Sequence, residues 1–242
     1  MKNFVSALHF ITILPLGKPG KFEPSGMLPY FPLVGLLLGA MMLLLDIIFS
    51  QLWSRPIASL LDVCFLVAVT GAFHLDGLGD TADGLYGQRG REAALEIMKD
   101  SRVGVMGLVA IVCCLALKWA GISGLDVHRG LLLTIIPAYA RSSILIGIRV
   151  LPYARPQGGT GRAFFEDKPG VFAFWGMLPP VLLSFICGWQ GILLNAVFMV
   201  VIMVTLIYYK RKMNGITGDM LGAMAEVTET AMFLAASAGG LP

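Results

Sequence analysis

The chain has 242 residues, of which 57% are hydrophobic and only 14% are charged. Soluble domains carry about 25% charged residues, and intrinsic disorder requires low hydrophobicity, so both classes are excluded. The net charge of +3 is small, and no nucleic-acid partner is expected. The composition instead predicts an all-α, polytopic protein that spans the lipid bilayer as one domain over residues 1–242.

Seven segments are predicted to span the membrane, because each offers close to the roughly 20 mostly apolar residues that a bilayer core requires. The apolar residues 4–16 before them are too short to span and predict an N-terminal interfacial or re-entrant helix. The seven segments are Leu28–Phe49, Ile57–Leu75, Val103–Ile122, Leu131–Val150, Val171–Cys187, Gly191–Tyr209 and Asp219–Ala238.

The basic residues predict the orientation of these spans. With the N-terminus in the cytoplasm, thirteen of the eighteen Lys and Arg residues fall in inside segments, whereas outside loops carry only Arg55 and Arg129. Cytoplasmic loops are enriched in Lys and Arg. The loops 76–102 and 151–170 are therefore predicted to face the cytoplasm.

An acidic, glycine-rich motif ends the second predicted span. The sequence GAFHLDGLGDTADGLYG contains Asp76, Asp80 and Asp83, which fall within an arc of about 60° if the segment is helical. Carboxylates this close repel one another unless a cation lies between them, and oxygen-only ligands suit Mg²⁺ or Mn²⁺. The pattern favours a metal site over the alternative, a solvated helix end outside the membrane.

A second polar group precedes the third span, where Lys99, Asp100 and Arg102 follow a short amphipathic helix. Asp100 could complete the ligand shell of the metal, and the two basic side chains could hold phosphate oxygens. The alternative is a basic flank with a local ion pair.

Charged residues elsewhere add further candidates. Arg141 lies near the middle of a predicted span, where a charge is costly and indicates an acidic partner or an anionic ligand. Lys118 and Arg149 lie nearer span ends and are predicted to snorkel. Arg155 and Arg162 in a Gly-rich loop could wrap a phosphate, although a flexible loop explains them equally well.

The last predicted span carries an acidic stripe, formed by Asp219, Glu226 and Glu229. Lipid exposure would be expensive, so the stripe should face the bundle or a cavity. Its acids could bind the metal, a basic residue such as Arg141, or hydroxyl groups of a substrate. Helix-packing ion pairs are the alternative.

These residues carry a family resemblance. FHLDGLGDTADGLYG followed by LEIMKDSRVGVMG closely resembles the signature of the cobalamin synthases, which are adenosylcobinamide-GDP ribazoletransferases. FITILPLG, YFPLVGLLLGA, YARPQGGTG and GDMLGAMAE are similar to other segments of that family, so the resemblance covers nearly the whole chain.

The resemblance implies an enzyme of late vitamin B12 synthesis in the cell inner membrane, with its active site on the cytoplasmic side. Such enzymes use Mg²⁺ to join adenosylcobinamide-GDP to α-ribazole or its 5′-phosphate, and they release GMP. The implied metal ligands are Asp76, Asp80, Asp83 and Asp100. The implied substrate-binding residues are Lys99, Arg102, Arg141, Arg155, Arg162, Asp219 and Glu226.

Some assignments stay open at this stage. Asp76, Asp100 or His74 could be the catalytic base, with a slight preference for the two carboxylates, and the diphosphate is favoured over the acidic stripe as the partner of Arg141. Asp80, Asp83 and Gly84 also match the start of the CDP-alcohol phosphotransferase motif, but its remainder is absent. A polyprenyl transferase and a transporter are further alternatives. The oligomeric state is open, a homo-oligomer included.

Overall fold

The computed structural model describes residues 2–18, 20–155, 158–159 and 161–238. Pro156, Gln157 and Thr160 of the Gly/Arg-rich loop lie outside the described residues. Within the described part the chain is helical and forms no β-sheet, and its one bridge joins Tyr153 to Ile216. The predicted all-α class is confirmed.

Twelve α-helices are formed by the described residues, some of them extended by short 3₁₀ turns. They are α1 Lys2–Ile11, α2 Pro24–Met27, α3 Phe31–Leu52, α4 Arg55–Val69, α5 Phe73–Leu85, α6 Arg91–Ile97, α7 Val105–Ser123, α8 Arg129–Val150, α9 Ala163–Glu166, α10 Leu178–Ser184, α11 Trp189–Met213 and α12 Gly218–Ala238.

Four helical runs are long and apolar enough to cross a membrane. They comprise residues 24–52, which join α2 to α3, and the helices α7, α8 and α11. The pair α4 and α5 would make a fifth span if its two halves are counted together. The chain is therefore a membrane protein with four or five candidate spans among the described residues, and the predicted count of seven is not confirmed.

The second predicted span, Ile57–Leu75, is wrong as a single helix. Helix α4 ends at Val69, and α5 starts at Phe73 in a direction that differs by 88°. Gly71 and Ala72 both have φ of 58° in the linker, which is left-handed backbone that cannot continue an α-helix. The bend gives the acidic motif a short helix of its own.

The fifth and seventh predicted spans also differ from simple membrane helices. Residues 171–187 form two 3₁₀ segments around the short α10. Helix α12 starts one residue before the predicted span and ends where predicted, but it is not apolar enough to be counted as a span. It packs against α5, α7, α8 and α11 in the middle of the bundle.

The apolar core surrounds α8 and α12. In α8, 83% of the most apolar window is buried, against 22–33% in the other three candidate spans. The N-terminal α1 is only 10 residues long and packs beside α3, with Ala7, Leu8 and Ile11 buried. Its length agrees with the prediction of a non-spanning helix.

Candidate active site

Helix α5 carries its three acids to one end of the bundle. Asp76, Asp80 and Asp83 follow the bend, and Asp80 is electrostatically coupled to Asp76, Asp83, Asp219 and Arg155. Asp76 is exposed and Asp80 half-buried. Neither makes a hydrogen bond or ion pair within the described part of the chain. These two carboxylates can therefore accept an external ligand.

The start of α12 completes this region. Thr217 caps the helix by accepting a hydrogen bond from the Met220 N–H at 3.2 Å. Arg155 Nη2 donates to Asp219 Oδ2 at 2.5 Å and to the Met98 carbonyl at 3.2 Å.

The close approach of α5 to α12 depends on a glycine. A Cβ at Gly77 would lie 2.7 Å from the backbone oxygen of Asp219, which is too close for any larger residue. The structure thus brings Asp219 and Arg155, two predicted site residues, beside α5. We call Asp76, Asp80, Asp219 and Arg155 the acidic site.

Asp83 has a different role from its two neighbours. Its carboxylate accepts hydrogen bonds from the Gly104 N–H at 2.7 Å and the Gly107 N–H at 2.9 Å. Both N–H groups belong to the N-terminus of α7, where the helix dipole favours an anion. Because both carboxylate oxygens are engaged, the geometry favours a cap over a metal ligand. The VGVMG part of the motif is the sequence signal for this contact.

Asp100 and Arg102 form a local ion pair, which is the alternative that the sequence analysis gives to metal and phosphate binding by this segment. Arg102 Nη2 lies 2.5 Å from Asp100 Oδ2, and both side chains are exposed. Hydrogen bonds from Arg102 lower the pKa of Asp100 to about 2, which makes Asp100 a weak base at neutral pH. Lys99 is exposed beside the pair. An open pocket next to Asp83 is lined by Asp100 and Arg102.

A basic pocket adjoins the acidic site. It is lined by Tyr153, Arg155, Arg162, Glu166 and Lys168, among others. The pairing of Ala154 N–H with the Ile216 carbonyl, at 2.9 Å, fixes this loop beside the start of α12. Three cations around one pocket suit phosphate oxygens.

The described residues do not form a complete metal centre by themselves. No group of three or more His, Cys, Asp or Glu side chains in this part of the chain is arranged to hold a metal ion. Mg²⁺ commonly binds through one or two carboxylates, with water and substrate phosphates as the other ligands. Asp76 and Asp80, one helical turn apart, fit that mode, and the Mg²⁺ site stays a prediction.

Arg141 meets an acid of α12 in the middle of the bundle. The Arg141 guanidinium donates to Glu229, and Lys118 Nζ lies 2.6 Å from carboxylate oxygens of both Glu226 and Glu229. Arg141 and Lys118 are each only 2% exposed. We call Lys118, Arg141, Glu226 and Glu229 the buried ion cluster.

The cluster changes three sequence-based interpretations. The prediction that Lys118 snorkels is wrong, because its ammonium group points to acids instead of a membrane surface. The sequence favours the diphosphate as the partner of Arg141, whereas the structure pairs Arg141 with Glu229 of the acidic stripe. Substrate binding by Arg141 and Glu226 stays a prediction, but their positions favour helix packing. An isolated Lys within the apolar α7 is the signal that could have revealed the cluster.

His74 lies apart from solvent. It is 1% exposed, borders an internal cavity, and its Nδ1 has no hydrogen-bond partner within the described part of the chain. Its predicted role as a catalytic base is therefore less well supported by position than that of the exposed Asp76.

Comparison with known proteins identifies the family. The family model described as cobalamin-5-phosphate synthase matches residues 3–237. The chain belongs to the cobalamin-5-phosphate synthase family. No solved structure matches it.

Relatives of the cobalamin-5-phosphate synthase family match over nearly their full length. An adenosylcobinamide-GDP ribazoletransferase of Alkaliphilus metalliredigens is 38% identical, over 95% of this chain and 92% of the relative. Proteins of the same name from Chlorobium chlorochromatii and Geotalea daltonii are 37% and 36% identical, each covered over 94% of its length. The resemblance seen in the sequence is confirmed, and the alternative classes are not favoured.

Proposed function

We propose that the protein joins adenosylcobinamide-GDP to α-ribazole, or to α-ribazole 5′-phosphate, and releases GMP. The product is adenosylcobalamin or its 5′-phosphate. The observation that carries the proposal is the acidic site beside a basic pocket, in a chain that belongs to the cobalamin-5-phosphate synthase family. Carboxylates next to cations are what a reaction between an alcohol and a diphosphate requires.

The reaction exchanges the phosphoanhydride bond of the diphosphate for a new phosphate ester bond. A ribose hydroxyl of the acceptor attacks the phosphorus next to the cobinamide arm and forms a new P–O bond. The bond from that phosphorus to the bridging oxygen breaks, and GMP leaves with the bridging oxygen. The hydroxyl proton passes to a carboxylate, for which exposed Asp76 is the best-placed candidate.

The basic residues position the diphosphate. Arg155, Arg162 and Lys168 line the pocket that would hold its oxygens and offset charge on the departing GMP. Asp219 orients Arg155 through their 2.5 Å contact. Mg²⁺, when bound, would be held by Asp76 and Asp80 and would neutralise charge on the diphosphate.

The basic residues also support a cytoplasmic location for this site in the cell inner membrane. Arg155, Arg162 and Lys168 belong to the thirteen cations assigned to the inside by their distribution along the sequence. The two arginines assigned to the outside contact acids elsewhere: Arg55 pairs with Asp126, and Arg129 lies 2.6 Å from Asp46. A cytoplasmic site would receive its nucleotide-activated substrate directly.

The test is GMP release by the purified, detergent-solubilised protein. With adenosylcobinamide-GDP, α-ribazole and Mg²⁺, one GMP should form for each corrinoid product, and omission of α-ribazole should abolish both. Release of GDP, or product without GMP, would overturn the proposed reaction. Chelation of divalent ions tests the metal separately. Undiminished GMP release in excess chelator would contradict the proposed requirement for Mg²⁺ and would leave the transferase proposal intact.

A further inference from the structure

The basic pocket beside the acidic site carries three side chains that the proposed phosphate chemistry does not use. They are Tyr153, Phe165 and Glu166. The pocket is open and has a volume of about 390 Å³, which lies within the range of about 300–1,000 Å³ that small-molecule sites occupy. It therefore has room for a group larger than a diphosphate.

A single helical turn presents several of the pocket residues together. Arg162 has helical backbone and directly precedes α9, so Arg162, Phe165 and Glu166 stand at positions i, i+3 and i+4, which share one face of a helix. Phe164 points the other way. It is 3% exposed, and its ring centroid lies 4.9 Å from that of Phe10. The buried ring anchors the turn to the apolar core and holds the opposite face at the pocket.

Two aromatic rings form one wall of the pocket. The ring centroids of Tyr153 and Phe165 lie 5.0 Å apart, and the rings are tilted by 42°. Both residues are only half-buried, so part of their ring surface is open to a ligand. Aromatic side chains beside cations suit a nucleotide, because every nucleobase has a π-face that stacks on an aromatic ring.

Glu166 adds an unpaired carboxylate to the pocket. It is exposed, and its side chain makes no hydrogen bond or ion pair within the described part of the chain. An ionised carboxylate only accepts hydrogen bonds. Guanine offers it two adjacent donors on one edge, N1–H and the 2-amino group, whereas adenine has a bare acceptor nitrogen at N1. A carboxylate at this position therefore favours guanine over adenine.

Arg155 connects the pocket to the acidic site. It lines the pocket, and its Nη2 contacts Asp219 Oδ2 at 2.5 Å. Its Nε is buried without a hydrogen-bond partner in the described part of the chain. A buried donor without a partner is costly, and a phosphate oxygen would satisfy it. Because Arg155 belongs to both regions, a diphosphate bound there has the acidic site on one side and the aromatic wall on the other.

We propose that Tyr153, Phe165 and Glu166 form the subsite for the guanine base of the nucleotide-activated substrate. The base would stack against the two rings and donate hydrogen bonds from N1–H and the 2-amino group to Glu166. Its diphosphate would lie at the three cations of the same pocket. The inference rests on the proposed function, because that function supplies a guanosine diphosphate ester as the substrate. Glu166 is then a specificity-determining residue.

The test is equilibrium binding of GDP, inosine diphosphate, ADP and inorganic pyrophosphate to the detergent-solubilised protein, measured by titration calorimetry. Wild type should bind GDP at least about tenfold more tightly than inosine diphosphate, which lacks the 2-amino group, and than ADP. Glu166→Gln should reduce both preferences to about twofold and leave the affinity for ADP unchanged. The matched control is Asp167→Asn, because Asp167 is the next acid along the chain and is exposed outside the pocket. The control should keep the wild-type preference.

Phe165→Leu gives a second and separable readout. It should weaken the binding of all three nucleotides about tenfold, because stacking does not depend on the identity of the base. The preference for GDP and the affinity for pyrophosphate should stay unchanged. Retention of the GDP preference in Glu166→Gln would overturn the inference. Pyrophosphate binding as tight as GDP binding in wild type would assign the pocket to the diphosphate alone and would overturn it too.

The outcome is independent of turnover, because nucleotide binding requires neither the corrinoid nor the acceptor. Guanine-selective binding that depends on Glu166, without GMP release from adenosylcobinamide-GDP, would refute the proposed function alone. GMP release by a protein that binds GDP and ADP equally well would refute the guanine subsite alone.

Discussion

Two groups of charged side chains in this molecule show how position determines what a charge can do. The buried ion cluster contains two cations and two anions, all paired, in the middle of the bundle. The acidic site contains three carboxylates and one arginine at an open end, and within the described part of the chain only Asp219 and Arg155 are paired there. The charges of the buried ion cluster compensate one another, whereas the unpaired carboxylates of the acidic site remain able to bind a substrate or a cation.

The difference follows from the surroundings of each group. Removal of charges from water is expensive, so a group in the bundle core is tolerated only if its members compensate one another. At the bundle end water screens the excess of acid, and a cation or a cationic side chain can be accommodated. The comparison predicts that substitutions in the buried ion cluster mainly lower stability, whereas those in the acidic site mainly lower the rate.

The largest expected effect concerns Asp80. Asp80→Asn should lower GMP release by about a thousandfold, because it removes a carboxylate proposed to hold the Mg²⁺ that neutralises charge on the diphosphate. Its melting temperature should stay near that of wild type, since Asp80 makes no ion pair within the described residues. The control is Asp126→Asn, which removes an exposed acid paired with Arg55 and should release GMP at the wild-type rate. Near wild-type turnover of Asp80→Asn at saturating Mg²⁺ would contradict the proposed role of Asp80 as a metal ligand.

Arg141→Met should mainly affect stability. Among the described residues the substitution leaves Lys118 as the only cation that compensates Glu226 and Glu229. Loss of one partner from a buried pair costs about 3–5 kcal/mol. The melting temperature should therefore fall clearly. Addition of Glu229→Gln removes the excess negative charge and leaves the 2.6 Å pair of Lys118 and Glu226, so the double variant should recover part of the loss. A stable Arg141→Met with poor substrate binding would instead support the diphosphate as the partner.

The smallest effect is expected at Asp100, whose pKa is lowered to about 2 by its hydrogen bonds with Arg102. A depressed carboxylate pKa stabilises the fold above the unfolded value near 3.9, and the contribution is lost as the pH falls toward 2. Between pH 5 and 9 Asp100 stays ionised in either state. Asp100→Asn should therefore leave the shape of the pH–rate profile unchanged over that range. Disappearance of an acidic limb in this variant would identify Asp100 as the base.

Much of the fold could be predicted from local pattern. The apolar runs give the helices α3, α7, α8 and α11 to within a few residues, because twenty apolar residues in a row have few other stable forms. The pattern does not reveal the break between α4 and α5, because the apolar run continues through Gly71 and Ala72 while the backbone turns there. A glycine inside an apolar run was the only local sign.

The candidate site could be predicted in part, because spacing on one helix is readable and contacts between helices are not. The arc of Asp76 and Asp80 follows from helical periodicity. Two contacts depend on packing between segments that are far apart in the chain. Gly104 and Gly107 donate hydrogen bonds to Asp83, and Lys118 contacts acids of α12. The sequence therefore predicts that the buried charges are compensated, but it does not predict which residues compensate them.

The most direct test of the division between the two groups is GMP release by the folded double variant Arg141→Met with Glu229→Gln. The rate per folded molecule should lie within about tenfold of wild type, because the buried ion cluster supports the helices and does not touch the reacting phosphates. A rate as low as that of Asp80→Asn, from a protein with a near wild-type melting temperature, would contradict this division. The buried ion cluster would then belong to the active site.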